Sequence, residues 1–297
     1  MRKFLVFCLL TVSLFAKQDD ENFLYHDYVS EFYYNFLDNS TSWIYKNKSN
    51  YDYIKKHNKL RIYINNQLDE DGKLNSSLSI RANIKLPKIS DKLYITVDKD
   101  DNTNTQNKED ALANEKQSSR VGLKYYLIRH NDKNIYLKLG GRPTFDGAKI
   151  YLKFGLDKVY NYNNFYTSLY FNEYYYFKNN IFKSNTGFNF RKKLNNTWAI
   201  GQYNDFTINH NQNNLINISN TLLLDQYLDS KEMLTYWITL YTNHQNNNFE
   251  QNSLTYNIKY HKMLKKWIFI DIIPSVVRDL KLKKYNRYLY VNFGFIF

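Results

Sequence analysis

The last ten residues of the chain alternate in polarity and end on an aromatic side chain, Phe297. Leu289, Val291, Phe293 and Phe295 share one face of an extended segment with Phe297, and polar residues and a glycine occupy most positions between them. Successive side chains of a strand point to opposite faces, so this pattern predicts a strand with one apolar and one mostly polar face.

Similar alternating segments recur from about Leu60 onward, separated by clusters of Asn, Asp, Gly and Lys. We predict strands near residues 60–68, 76–86, 92–99, 119–129, 134–142, 147–156, 164–175, 181–192, 196–206, 214–225, 232–243, 252–262, 266–277 and 286–297. Segments of about ten residues with alternating hydrophobicity are typical of strands that cross a membrane as a closed barrel. The predicted fold is therefore all-β: a transmembrane, antiparallel, up-and-down β-barrel of about fourteen strands, with about twelve as the alternative.

The predicted connections agree with this topology. Those after even-numbered strands are all short, whereas those after odd-numbered strands include the segments 100–118, 207–213 and 244–251. In bacterial transmembrane barrels the short turns lie on one side of the membrane and the longer loops on the other.

The chain begins with a secretory layout. Two basic residues precede an apolar run from Phe4 to Ala16, which is too short to span a bilayer as a helix. After it, apolar residues at three- and four-residue spacing predict a short amphipathic helix within residues 20–46. Three regions are expected: a signal peptide over 1–16, an N-terminal helical segment and linker over 17–58, and the barrel over 59–297.

Composition excludes helical membrane spans. Mean hydropathy is −0.64, and beyond the leader the chain has no long apolar run, while it contains 29 tyrosines and 20 phenylalanines and carries a net charge of +13. A soluble β-protein is disfavoured because the second strand face carries many Lys and Arg residues, which a dry core cannot bury unpaired. A water-filled lumen accommodates them.

The basic set on the polar face is the main functional feature. By strand parity the inward-facing candidates are Arg81, Lys85, Arg120, Lys124, Lys138, Arg142, Lys149, Lys153, Lys183 and Arg191. The inward acidic candidates are Asp98, Asp157 and Asp271, and we expect Asp271 to pair with a basic neighbour. Cations on one side of a lumen raise the local concentration of anions and favour their passage. The alternative is that these lysines pair with acidic loops or the N-terminal segment and merely fill the interior.

Two other features have simpler explanations. Asp98, Asp100, Asn102 and Glu109 have spacings similar to those of a calcium-binding loop, but Thr103 replaces its glycine, so the segment is interpreted as a solvated surface loop. We predict no metal and no cofactor. Trp198, Trp237 and Trp267 are predicted to lie near strand ends, in interfacial aromatic belts.

The histidines are the candidate catalytic bases, and only His210 and His244 are expected near the outer rim. Ser219 and Asn220 follow His210, a set similar to that of outer-membrane phospholipases, but the compact His-x-Ser pattern of those enzymes is absent. Without an assembled nucleophile, base and orienting group, the prediction is that the protein is not an enzyme.

The C-terminal strand with Phe293, Phe295 and Phe297 resembles the closing strand of Gram-negative outer-membrane β-barrels, whose assembly machinery reads a C-terminal aromatic signal. Asn292 stands where that signal usually has glycine. Asp271 followed by Pro274 within an apolar strand is similar to a poorly characterised, porin-like group of these barrels.

The resemblance implies export through a cleaved signal peptide to the cell outer membrane. It also implies contact with outer-membrane lipid, lipopolysaccharide and the barrel-assembly machinery, and none with nucleic acid. Combined with the basic lumen, it predicts a passive pore or small-solute transporter that favours anionic solutes. The alternatives are a plugged, non-conducting barrel with a surface-interaction or envelope-structural role and, third, a lipid-modifying enzyme.

Overall fold

The computed structural model describes residues 27, 30–35, 58–86, 89–98, 120–144, 147–178, 180–211, 215–245 and 248–297. Residues 60–296 form one compact unit, the barrel. In the unit that precedes it, residues 30–35 are helical. The predicted signal peptide and most of the 17–58 segment lie outside the described residues. Within the described part of the chain, no helix is long and apolar enough to cross a membrane.

The barrel contains fourteen strands, each antiparallel to its neighbours. Their bounds are β1 Lys59–Asp69, β2 Leu74–Lys85, β3 Leu93–Asp98, β4 Arg120–Arg129, β5 Lys133–Thr144, β6 Gly147–Tyr162, β7 Phe165–Tyr176, β8 Ile181–Lys193, β9 Trp198–Asn209, β10 Leu215–Tyr227, β11 Glu232–Gln245, β12 Asn248–Lys265, β13 Ile268–Asp279 and β14 Tyr285–Ile296.

The sheet closes between the first and last strands. β1 pairs with β14 from Arg61 opposite Ile296 to Asp69 opposite Tyr288, and every other strand pairs with its neighbours in sequence. The predicted up-and-down barrel of fourteen strands is therefore confirmed, and closure leaves no free sheet edge.

The two faces of the wall differ in chemistry. On β5 and β6 the side chains of Leu137, Leu139 and Leu152 are exposed, while those of Lys138 and Lys153 between them are 1 % exposed. The same alternation of exposed apolar and buried polar or aromatic side chains continues on β7 and β8. The apolar face is therefore the outer surface and the polar face the lumen, the arrangement of a barrel whose outer wall meets lipid.

The connections differ in part from the prediction. The connection after β3 is the long one, covering residues 99–119. The predicted 244–251 loop is wrong, because β11 runs to Gln245 and β12 begins at Asn248. Its asparagine-rich sequence has little strand propensity, but the ladder between the two strands continues through it, with His244 opposite Phe249. β6 likewise extends to Tyr162, beyond its predicted end.

Glycines on the lumen face make room for aromatic rings from the next strand. A Cβ at Gly155 would lie 2.2 Å from Cζ of Tyr136, and one at Gly140 would lie 2.4 Å from Cζ of Tyr151. Tyr170 lies in the same way against Gly187. Contact of an aromatic ring with a cross-strand glycine is a device that fixes strand register, and here it also fixes the positions of the three tyrosine rings on the lumen wall.

Candidate functional site

Lysines from five strands form a row across the lumen face. The register places Lys85 opposite Tyr94, Tyr94 opposite Lys124, Lys124 opposite Lys138, and Lys138 opposite Lys153. The row continues from Lys153 through Tyr174 to Lys183. We call Lys85, Lys124, Lys138, Lys153 and Lys183 the cationic row.

Like charges directly opposite each other destabilise a sheet, so the row needs compensation. Aromatic rings supply part of it: Lys124 Nζ lies 3.6 Å from the centroid of the Tyr136 ring, and Lys153 Nζ lies 5.2 Å from that of Tyr136 and 5.1 Å from that of Tyr174. A cation over a desolvated aromatic face gains about 2 kcal/mol. Gly155, which makes room for the Tyr136 ring, therefore also helps to position these charges.

Several of the other predicted basic residues lie on the same face. Arg81 lies over the Tyr63 ring at 4.9 Å and Arg120 over the Tyr151 ring at 5.6 Å. Lys149 is exposed on β6, and Lys85 pairs with Asp91 at 2.9 Å. Arg142 on β5 is paired in register with Lys149, and Asp98 on β3 with Arg120.

Arg129 is a lumen cation that strand parity missed. Its guanidinium lies 4.9 Å from the centroid of the Tyr94 ring and 5.1 Å from that of Tyr126. Parity assigned it to the outer face, but a bulge between Tyr126 and Ile128 reverses the alternation. Sequence alone gave no signal of that bulge.

The predicted acidic residues Asp271 and Asp157 lie on β13 and β6. Asp271 binds His261, with Oδ1 and Nδ1 2.6 Å apart, and this is the basic neighbour that was expected. Asp157 on β6 lies opposite Tyr170.

Asp205 and Asp225 were not singled out from the sequence. Asp205 accepts hydrogen bonds from Tyr170 and Asn185, and Asp225 pairs with Arg191. Both stand at polar-face positions of predicted strands, so the parity that selected the lysines would also have found them.

An apolar cluster also lies inside the barrel. Leu223, Trp237 and Ile273 are 4, 4 and 2 % exposed, and Tyr203 and Tyr290 pack against them. The expectation that Trp237 belongs to an interfacial belt is wrong, because this residue lies in the middle of β11 on the lumen face, opposite Leu223. Trp198 begins β9, and Trp267 lies in the turn before β13.

The predicted terminal assembly signal lies on and beyond β14. Phe293 and Phe295 are on the outer face of that strand, opposite Ile64 and Ile62 of β1, and Phe297 follows the strand end. Of the weak calcium-loop residues, Asp98 ends β3, whereas Asp100, Asn102 and Glu109 lie outside the described residues. Among the residues that are described, no group of three or more His, Cys, Asp or Glu side chains could hold a metal ion.

No family model matches this chain, and no curated protein sequence matches it. Solved structures do match. OmpT expressed in the outer membrane of Vibrio cholerae is similar with a TM-score of 0.51 and 8 % identity, over 81 % of this chain and 97 % of that one.

Two porins also match, with lower TM-scores. An anion-selective porin from Comamonas acidovorans gives a TM-score of 0.48 and 11 % identity, over 80 and 98 % of the two chains. The KdgM porin gives 0.40 and 9 %, over 79 and 98 %. At such identities the likeness is one of fold, that of a porin-like β-barrel.

Proposed function

We propose that the protein is an outer-membrane β-barrel through whose lumen small anionic solutes pass. The observation that carries the proposal is the cationic row, which places five lysines from neighbouring strands on one side of a closed barrel. Positive charge along a narrow path raises the local concentration of anions and lowers that of cations.

The outer surface supports the membrane location. Apolar side chains such as Leu123, Leu139, Leu152 and Leu222 are 40–61 % exposed on the outer face, and in water this continuous apolar wall would drive aggregation. The wall is closed and apolar, as lipid requires. The secretory layout of residues 1–16 is consistent with the export that this location requires.

The proposed solute path runs beside Lys124, Arg120 and Lys149, which keep part of their surface exposed. A unit charge about 10 Å from an ion in water changes its energy by about 0.4 kcal/mol, with opposite sign for anions and cations. Removing one such charge therefore lowers the anion-to-cation permeability ratio about fourfold at low salt, and less as salt screens the field.

Planar-bilayer recording of the purified barrel tests the proposal. Under a salt gradient the wild-type reversal potential is expected to report anion selectivity, and Lys124→Gln is expected to move it toward zero. Lys192→Gln is the matched control, since Lys192 is a cation on the outer face, packed over Phe165. Cation selectivity in the wild type, or equal shifts in the two variants, would contradict an anion path along the row.

A second candidate is a non-conducting barrel with a surface-interaction or envelope-structural role. It is favoured by the burial of Tyr151, Lys138 and Lys153, which are 0, 1 and 1 % exposed although they face the lumen. Side chains packed this tightly have little contact with water, as expected where the interior of a barrel is filled. This candidate predicts that the protein produces no conductance in planar bilayers, although it still shows the heat-dependent mobility shift of a folded barrel.

A further inference from the structure

Three polar side chains meet on the outer wall, at the rim that carries the β7–β8 and β9–β10 connections. Glu173 on β7 lies opposite Ser184 on β8, and Ser184 lies opposite Ile208 of β9. His210 follows β9, and its backbone N–H donates to the carbonyl of Phe182. Ser184 Oγ is 2.6 Å from Glu173 Oε1 and 2.7 Å from His210 Nε2. The register thus brings a hydroxyl, a carboxylate and an imidazole into direct contact.

These polar and ionisable side chains lie on the mainly apolar outer face of the barrel. Their neighbours in sequence, Asn172 and Asn185, point into the lumen and are 2 % exposed, so Glu173 and Ser184 point outward. The next outer-face residue on β7 is Phe171, on β8 Thr186 is followed by Phe188, and on β9 Ile208 is followed by Phe206. The three phenylalanines are 36–39 % exposed. Ionisable groups on a lipid-facing wall cost free energy that rises toward the bilayer centre, and such groups inside a membrane indicate function.

The position of the cluster along the membrane normal indicates which part of a lipid it could contact. Tyr175, Phe177 and Phe182 pack together beside the cluster near the ends of β7 and β8, with ring centroids 5.0 and 4.8 Å apart. Aromatic girdles mark the boundary between hydrocarbon and headgroups, and the apolar side chains below the cluster face hydrocarbon. The ester linkages of membrane lipids lie at that same boundary.

From this geometry we propose that Ser184, Glu173 and His210 form a hydrolase site for acyl esters of membrane lipids. The site is independent of the lumen. Ser184 is 9 % exposed on this wall, and its two partners hold its hydroxyl. The hydroxyl has one proton, which it donates to the Glu173 carboxylate, so His210 Nε2 carries a hydrogen and donates to Ser184 Oγ.

This arrangement assigns the acid and base roles. Ser184 Oγ attacks the acyl carbon as its proton passes to Glu173, and the ester C–O bond breaks as Glu173 passes that proton to the departing alcohol oxygen. A water molecule then attacks the acyl-serine as one of its protons passes to Glu173, and Ser184 Oγ leaves and takes that proton. The hydrogen bond from His210 Nε2 holds Ser184 Oγ in place. One ester and one water become one carboxylic acid and one alcohol, and the site returns to its starting state.

The structure places His210 beside a different serine from the one considered in the sequence. Ser219, the serine that follows His210 along the chain, lies opposite Asp205 on the lumen face. His210 is instead in contact with Ser184, which precedes it by 26 residues and lies on another strand. Because the three groups come from three separate stretches of chain, no local motif could reveal them.

The test uses the full-length mature barrel in mixed micelles and measures the release of fatty acid. One arm supplies phosphatidylethanolamine and the other lipopolysaccharide, so the two sources of acyl ester are distinguished. Wild type is expected to release fatty acid in one arm, Ser184→Ala to release none, and Glu173→Gln to be slower by about 10²–10⁴-fold, the typical effect of losing a general base.

Thr186→Ala is the matched control, because Thr186 is the next outward hydroxyl on β8 and donates to the Tyr170 carbonyl; it is expected to keep wild-type activity. A fluorophosphonate probe, which labels reactive serines covalently, provides a measurement on the wild-type protein. Mass spectrometry is expected to find the adduct on Ser184. Absence of both release and labelling in heat-modifiable wild type overturns the proposal, as does full activity in folded Ser184→Ala.

Discussion

At the scale of single residues, the lumen carries charges that water barely reaches. Asp225 is 1 % exposed and is held by Arg191 and by Thr235, whose hydroxyl donates to Oδ1 at 2.7 Å. Tyr227 accepts a second hydrogen bond from the same guanidinium. A buried ion pair adds little net stability, but removing one partner leaves an uncompensated charge.

Arg191→Met is therefore expected to lower the free energy of unfolding by about 3–5 kcal/mol, because the Asp225 carboxylate stays buried without its cation. Denaturant titration in detergent measures the change. The double variant with Asp225→Leu is expected to recover most of the loss, and Lys192→Met, on the outer face beside Phe165, to have a small effect. A single variant as stable as wild type would contradict the burial argument.

At one lumen-facing glycine, substitution by alanine is expected to destabilise the barrel rather than stabilise it. Replacing a strand glycine by alanine normally stabilises, but at Gly155 the new Cβ would collide with the Tyr136 ring. Gly155→Ala is expected to cost about 1–3 kcal/mol, as overpacking does. Gly141→Ala, where a Cβ would meet no atom within 4 Å, is the control, and equal unfolding curves for the two variants would exclude the ring contact.

At the scale of elements, β14 both closes the barrel and carries the aromatic terminus. Its pairing with β1 extends from Tyr288 to Ile296 and does not require Phe297. Deleting Phe297 is therefore expected to leave refolding in detergent intact while reducing assembly in cells several-fold, if the terminus is read as a signal. The heat-dependent mobility shift measures folding in both settings, and equal losses in both would assign Phe297 a structural role instead.

The strands were predictable because alternation is a local property. Each strand shows its two faces within about ten residues, and turn-forming clusters separate the strands, so their number and order follow from the sequence. Strand ends are less predictable, as β12 shows: it begins at Asn248, in a run of polar residues whose composition predicts a loop. Ladder hydrogen bonds join backbone groups, so a hairpin can continue beyond its apolar part.

The site was only partly predictable, for reasons of register. Parity placed Lys124, Lys138 and Lys153 on one face, but only the pairing of β4, β5 and β6 puts them side by side. The same holds for Glu173 and Ser184. One bulge was enough to reverse the face of Arg129, because a shift of one residue exchanges the two sides of a strand.

At the scale of the whole molecule, the lumen wall is chemically uneven. The cationic row occupies β2, β4, β5, β6 and β8, whereas Asp205, Asp225 and Asp271 lie on β9, β10 and β13. The apolar cluster of Leu223, Trp237 and Ile273 lies on this second side. These three acidic residues and the apolar cluster thus lie on strands that carry no lysine of the cationic row.

The inner and outer surfaces of the wall should also act independently, since neighbouring residues on one strand serve opposite faces. Lys183 belongs to the cationic row and Ser184 to the outer cluster, although they are adjacent in sequence. Ser184→Ala is expected to leave the reversal potential in planar bilayers unchanged, and Lys124→Gln to leave fatty-acid release unchanged. If either variant altered both readouts, the wall would be transmitting a structural change from one face to the other, and the assignment of separate roles to the two faces would fail.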